Sequence, residues 1–147
     1  MKTKIFGLLA AALMTLSAMT ALADDEKSYT EGTVTDVTSV RTKPGQFDAY
    51  MKWLSTTYKG FMEEQKKAGI IVSYKVYGAS PRTPNDPDLY LVTEYKNYAA
   101  LDNLDERTEA IMKKVWASRD QSNKAAADRE SLRAILGDEL IQEFKLK

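Results

Sequence analysis

Residues 70–95 read IIVSYKVYGASPRTPNDPDLYLVTEY, and their alternation decides the fold. Ile70, Val72, Tyr74 and Val76 share one face of an extended run, and Ile71, Ser73, Lys75 and Tyr77 share the other, because successive side chains of a strand point to opposite sides. Leu89, Leu91, Thr93 and Tyr95 oppose Tyr90, Val92 and Glu94 in a second run of the same kind. Between the runs, Pro81, Pro84 and Pro87 stiffen a loop. Asn85, Asp86 and Asp88 in that loop lack the spacing and glycine of an EF-hand, and turn chemistry accounts for them. The stretch predicts an antiparallel hairpin of strands 70–77 and 89–95.

Working outward, Phe47, Tyr50, Met51, Leu54, Tyr58, Phe61 and Met62 recur at three- and four-residue intervals, the signature of one apolar helix face. The helix starts near Gln46 and ends at Ala68-Gly69, with Gly69 as a left-handed cap. Gly60 inside it costs about 1 kcal/mol relative to Ala, a cost that packing overrides. Before the helix, Thr33–Arg41 is β-branched, with Val34 and Val40 on one side and Val37 on the other, and Lys43-Pro44-Gly45 breaks the run. After the hairpin a helical pattern runs from Tyr98 through Leu101, Leu104, Thr108, Ile111, Met112 and Val115. The polar stretch Ser118–Asn123 interrupts it. A third helical pattern, Ala125, Leu132, Ile135 and Leu136, closes at Gly137, and Leu140–Leu146 alternates as a last strand. The order β-α-β-β-α-β is the split-βαβ, or ferredoxin-like, arrangement. The expected fold is α+β: a four-stranded antiparallel sheet over residues 33–147, helices on one face, and an extra helix before the last strand.

The chain has 147 residues. Lys2 and Lys4 precede an apolar stretch from Ile5 to Ala23 that ends in Ala21-Leu22-Ala23, and Asp24-Asp25-Glu26 follows. This is the layout of a secretory signal peptide, so residues 1–23 are expected to be removed, leaving 24–32 as a flexible lead-in and a periplasmic or secreted domain with no membrane segment. Without Lys2 and Lys4 the chain has 19 basic and 21 acidic residues, a net charge of −2. That balance gives no field to attract nucleic acid. Cysteine is absent, so stability must come from the core and not from bridges. Histidine is absent as well, which removes a Ser-His-Asp triad, a His-ligated haem, and zinc or iron sites that need imidazole. No metal and no cofactor is expected from these residues.

The chain resembles the dimeric α/β-barrel superfamily, whose best-known branch holds the antibiotic-biosynthesis-type monooxygenases. The resemblance rests on Val40-Arg41-Thr42-Lys43-Pro44-Gly45-Gln46-Phe47 entering the first helix, and on Tyr90-Leu91-Val92-Thr93-Glu94-Tyr95-Lys96-Asn97-Tyr98-Ala99-Ala100-Leu101 running from strand into helix. It covers most of 33–146. It implies a homodimer in which two sheets enclose a barrel, with activities in the family ranging from cofactor-free oxygenation to haem chemistry. The haem branches are excluded here by the missing histidine, and the third helical segment departs from the shortest members.

If the helices cover the face of Val72, Tyr74, Val76, Leu89 and Leu91, the opposite face offers Ser73, Lys75, Tyr77, Tyr90, Glu94, Glu143, Lys145 and Arg41. That set suits either a pocket with convergent polar groups or a wet dimer interface with cross-strand pairs such as Lys75 with Glu94. Two functions follow from it. One is an exported scaffold or small-molecule binder, with Ser73, Tyr90, Arg41 and Glu143 as ligand contacts. The other is a cofactor-independent monooxygenase of quinol-like or phenolic molecules, with Glu94 as base and Lys75 and Tyr77 as its partners. Burial in a barrel would raise the pKa of Glu94 toward useful basicity. Trp53 and Trp116 stand at the margins of helical apolar faces, positions that suit packing and would also let either one close a pocket. Asp102, Asp105, Glu106 and Glu109 form a solvated acidic stripe, with Glu109 paired to Lys113.

Overall fold

The computed structural model describes residues 27–147, so the leader at 1–23 and the acidic residues 24–26 lie outside the described residues. Strand β1 is Tyr29–Thr42. A helical rod follows: α1 (Phe47–Trp53), a π-helical turn (Leu54–Tyr58) and α2 (Lys59–Lys67). Right-handed helical backbone at Leu54 and Lys59 makes the three pieces continuous. Strands β2 (Ser73–Gly78) and β3 (Leu89–Tyr95) form the hairpin. A 3₁₀ turn (Tyr98–Leu101), α3 (Leu104–Trp116), α4 (Arg119–Glu130) and β4 (Arg133–Leu146) complete the chain. The sheet order is β2-β3-β1-β4 and every neighbouring pair is antiparallel. This four-stranded mixed α+β architecture is consistent with the ferredoxin-like arrangement.

Cross-strand partners share a face of the sheet, so the register assigns the faces. Val34↔Tyr95, Asp36↔Thr93, Thr38↔Leu91 and Val40↔Leu89 lie toward the helices. There Val34, Val40, Leu89 and Tyr50 are almost fully buried. Two apolar clusters form this layer. Val34, Met62, Ile70, Ile71, Tyr95 and Ile111 make one, and Val40, Tyr50, Leu54 and Leu89 make the other. Each fully buried aliphatic or aromatic side chain contributes about 1.5–3 kcal/mol from burial alone. Tyr74 Oη donates to Glu63 Oε1 at 2.7 Å, tying β2 to α2. At the far end, Asp88 accepts from the backbone N–H of Thr42 at 3.0 and 3.1 Å and from the Thr42 hydroxyl, locking the hairpin loop onto the end of β1. Asp86 accepts from the N–H groups of Arg82 and Thr83 and so closes its own turn.

Several boundaries differ from the sequence reading. β1 begins at Tyr29, so 29–32 are strand and not loose lead-in, because Tyr29, Thr30 and Glu31 pair with Leu146, Lys145 and Phe144. β2 begins only at Ser73: Ile70 and Ile71 are both buried in the core, where alternation would expose one of them, and Val72 is exposed. Ile135, Leu136 and Gly137 belong to β4 and not to a helix. Their partners on the long β1 are already in place, with Val40↔Ile135 and Ser39↔Gly137 flanking a bulge, and ladder pairing wins over a helical spacing that has no face to pack. The left-handed cap at Gly69 is present, with φ of 68°. Glu109 pairs with Lys113 at 2.9 Å.

Candidate functional site

The open face of the sheet carries the polar set singled out from the sequence. Ser73↔Glu94, Lys75↔Val92 and Tyr77↔Tyr90 place five of those residues together on two strands. The set splits along the sheet. Ser73 Oγ donates to Glu94 Oε2 at 2.7 Å, and Glu94 lies beside Thr35 of β1. Glu143 is further out on β4, two residues beyond the partner of Thr35, and its carboxylate meets Lys145 at 3.6 Å. Arg41 sits at the opposite end, paired with Ala134, and its Nη2 donates to the carbonyl of Thr83 at 2.7 Å. The structure therefore joins Ser73 and Glu94, sets Lys75 nearby, pairs Tyr77 with Tyr90 across the strands, and leaves Arg41 and Glu143 apart.

In the single chain, where no barrel encloses it, the Glu94 carboxyl shifts the other way from the expected rise. Hydrogen bonds from Ser73 and Thr33 hold its carboxyl below the usual range, outweighing burial, with the charges of Lys75 and Lys145 assisting. The expected Lys75–Glu94 ion pair does not close: Lys75 stands opposite Val92, and Glu94 stands opposite Ser73. Glu94 is a stabilised carboxylate in the single chain, and a carboxylate with a lowered pKa is a weak base.

A different site lies on the other side of the sheet. A cavity of about 360 Å³ opens between the helices and the sheet. Thr38 of β1 and Leu91, Thr93 and Tyr95 of β3 form its floor. Trp53, Tyr58, Phe61 and Gln65 come from the first helical rod, Thr108, Met112 and Trp116 from α3, and Arg129 from α4. A second cavity of about 500 Å³ shares Trp53, Trp116 and Arg129 with it.

The π turn is what aims two of these side chains. Residues five apart in an α-helix lie roughly 140° apart around the axis, so Trp53 and Tyr58 would diverge. One π turn closes i to i+5 and stacks them on the same side, with ring centroids 6.1 Å apart. Ser55 Oγ and Thr56 Oγ1 both donate to the carbonyl of Lys52 at 2.9 Å, the back-bonding by which Ser and Thr bend helices. Tyr58 packs edge-on against Tyr74, with centroids 6.0 Å apart. Burial pushes the Tyr58 phenol up to about 12, against a hydrogen bond from Thr93, so the cavity presents it as a neutral hydroxyl at any physiological pH. Trp116 packs on Phe61 with centroids 5.2 Å apart. Gln65 is 5% exposed, and the hydrogen bond of its amide nitrogen goes to the thioether of Met62 at 3.4 Å, a weak acceptor.

The tryptophans were legible in the sequence as pocket-edge candidates. Tyr58 read as one more apolar position, and Arg129 carried no signal, because its ring partner Trp53 lies in a distant element. Among the described residues no cluster of three His, Cys, Asp or Glu side chains is placed to hold a metal ion. No described helix is long and apolar enough to cross a membrane.

No protein-family model matches the sequence, and no curated protein matches it. Solved structures do. Protein SO0527 from Shewanella oneidensis superposes with a TM-score of 0.50 at 14% identity, covering 80% of this chain and 96% of the other. HapK from Hahella chejuensis gives 0.49 at 14% identity, covering 75% and 91%. A dimeric ferredoxin-like protein from an uncultured marine organism gives 0.46 at 8% identity, covering 80% and 90%. At these identities the likeness to SO0527 speaks for the fold alone, a ferredoxin-like domain.

Proposed function

We propose that the protein is an exported homodimer that binds a small, flat, largely apolar molecule between its helices and its sheet. The observation that carries this reading is the cavity of about 360 Å³ walled by both tryptophans of the chain, Tyr58 and Phe61, with Thr38, Gln65, Thr93, Asp105, Thr108 and Arg129 as its polar contacts. Small-molecule sites have this composition, apolar walls with a few fixed polar groups, and this size. The chemistry available there is recognition: the neutral phenol of Tyr58 and the amide of Gln65 offer hydrogen bonds, and the rings offer stacking.

Two supporting parts of the reading are separate. Export rests on the charged start, the apolar run and Ala21-Leu22-Ala23, and N-terminal sequencing of the exported chain should begin at Asp24. Dimerisation rests on the open face and on β4. Tyr77, Ile141, Leu140 and Phe144 are each 47–55% exposed, and β4 is a long edge strand with apolar groups on both sides. Exposed patches and edges of that kind mark protein interfaces. In this reading Ser73, Lys75, Tyr77, Tyr90 and Glu94 face the second subunit.

The oxygenase reading places the base at Glu94, with Lys75 and Tyr77 beside it. The sheet separates Glu94 from the cavity and its pKa is lowered, which favours the binder. Oxygen uptake with quinols and phenols, lost on Glu94→Gln, would restore the oxygenase.

Because the only tryptophans of the chain line the cavity, intrinsic fluorescence tests the binding reading directly. Flat bicyclic aromatics should quench emission saturably, and Trp116→Phe should weaken their binding. A panel of such compounds that changes neither emission nor melting temperature would overturn it.

A further inference from the structure

Arg129 and Arg133 are half-buried and close enough for the charge of each to act on the other. Neither forms an ion pair with a carboxylate among the described residues: the pairs that close there are made by lysines. Each lies against a ring instead. The Arg129 guanidinium is 4.7 Å from the centroid of Trp53, and that of Arg133 is 5.8 Å from the centroid of Tyr50. Tyr50 and Trp53 are themselves stacked, 5.8 Å apart and 3° from parallel. The two cations therefore sit over two adjoining plates at one end of the aromatic cavity, and Arg129 lines both cavity lobes.

Three polar atoms in this small volume are buried with no hydrogen-bond partner: Arg129 Nε, Arg133 Nε and the hydroxyl of Tyr50. Tyr50 is 0% exposed. Arg133 and Arg129 favour its ionised form by charge, without closing a hydrogen bond of normal geometry to it, and burial still keeps the phenol neutral. Buried donors without partners are costly, and each one in a native structure calls for an explanation, an acceptor supplied by water or a bound group among them. Cation–π contact offsets part of the charge desolvation, but gives no acceptor to an N–H in the guanidinium plane. Of these residues only Arg129 lines the cavity, so an anion with oxygen acceptors seated there would meet the Arg129 guanidinium alone; the carboxylate of Asp105 lines the same cavity and closes no ion pair with it.

We infer that the ligand is an aromatic carboxylate, its ring seated between Trp53, Tyr58 and Trp116 and its carboxylate on Arg129. Arg133 is a positioning residue: it holds Tyr50 and adds positive field behind Arg129 without lining the cavity. This assignment rests on the binding reading above and narrows it to a charge class. The planar guanidinium suits a carboxylate better than an ammonium would, because its fork matches two oxygens.

The test is calorimetric titration of the mature protein with 2-naphthoate and with 2-naphthamide, which share ring and shape and differ in charge. A charge-assisted contact predicts 2-naphthoate binding about tenfold or more tightly. Arg129→Met should erase that preference, whatever it does to the common affinity for the two compounds, and Arg129→Lys should keep part of it. Arg133→Met should narrow the preference several-fold, which loss of packing alone would not do. Equal binding of the two compounds to the wild type overturns the anion assignment and leaves the cavity reading standing. Failure of both compounds to bind overturns both. The wild-type comparison decides the charge question even if a variant is unstable.

Discussion

Asp36 lies on the helix side of β1, opposite Thr93 and Leu140. Burial, with the charge of Asp138 across the strand pair adding to it, holds its pKa above the ordinary aspartate value. The folded chain thus binds this proton more tightly than the unfolded chain, and ionisation opposes folding. The contribution of Asp36 is intact below the ordinary aspartate range and is lost as pH rises through the raised folded value. Asp36→Asn should therefore melt a few degrees higher than the wild type at neutral pH. The advantage should vanish near about pH 3, below the ordinary aspartate pKa of about 3.9. Thermal melts across that window check it, and an unchanged difference at both ends would refute the assignment. Nothing in the spacing of Thr35-Asp36-Val37 discloses this, because the burial comes from chain far away. Trp53 and Trp116 read first as packing residues and only second as pocket edges, because a tryptophan at the margin of an apolar helix stripe serves either role. Arg129 was not legible, since its role depends on α4 folding back over α1.

At the level of elements, local periodicity found what local forces determine. The hairpin, the apolar face from Phe47 to Met62 and the cap at Gly69 all depend on near neighbours, and all are present. The start of β4 was missed because Ala134, Ile135 and Leu136 fit a helical spacing, and only the partner residues on β1 turn them into strand. The π turn was missed as well, although Ser55 and Thr56 bond back to the carbonyl of Lys52 there. It gives a sharp expectation. Deleting Thr56 should let 47–67 close into a regular α-helix and swing Trp53 away from Tyr58 by the better part of a half-turn. Circular dichroism should keep its helical signal, whereas affinity for cavity ligands should fall by tenfold or more, the loss of about 1.4 kcal/mol in stacking. Unchanged affinity in the deletion variant would show that the turn does not aim the rings.

On the scale of the whole molecule, the sheet has two unlike sides. One is closed by helices and holds the cavity, and the other is bare, with Val37↔Val92 at its centre, Glu139 beside Val37 on β4, and Ile141 one pair further along, opposite Thr35. Val92→Lys places a charge amid that face, and in the proposed dimer two such charges would meet. Light scattering should then give the mass of one chain where the wild type gives two. A wild-type monomer at micromolar concentration would remove the dimer altogether.

The same partition has a consequence for how occupancy is controlled. The cavity lies on the helix side of the sheet, and a full thickness of β-sheet separates it from the bare side. In a dimer paired through the bare side alone, a ligand that touches no residue of that face would leave the free energy of pairing unchanged, and by linkage the two equilibria would be independent. Titration curves should superimpose whether the protein is diluted until it dissociates or concentrated until it is fully paired, with a Hill coefficient of about 1. Such a protein reports the amount of its ligand without regard to its own abundance.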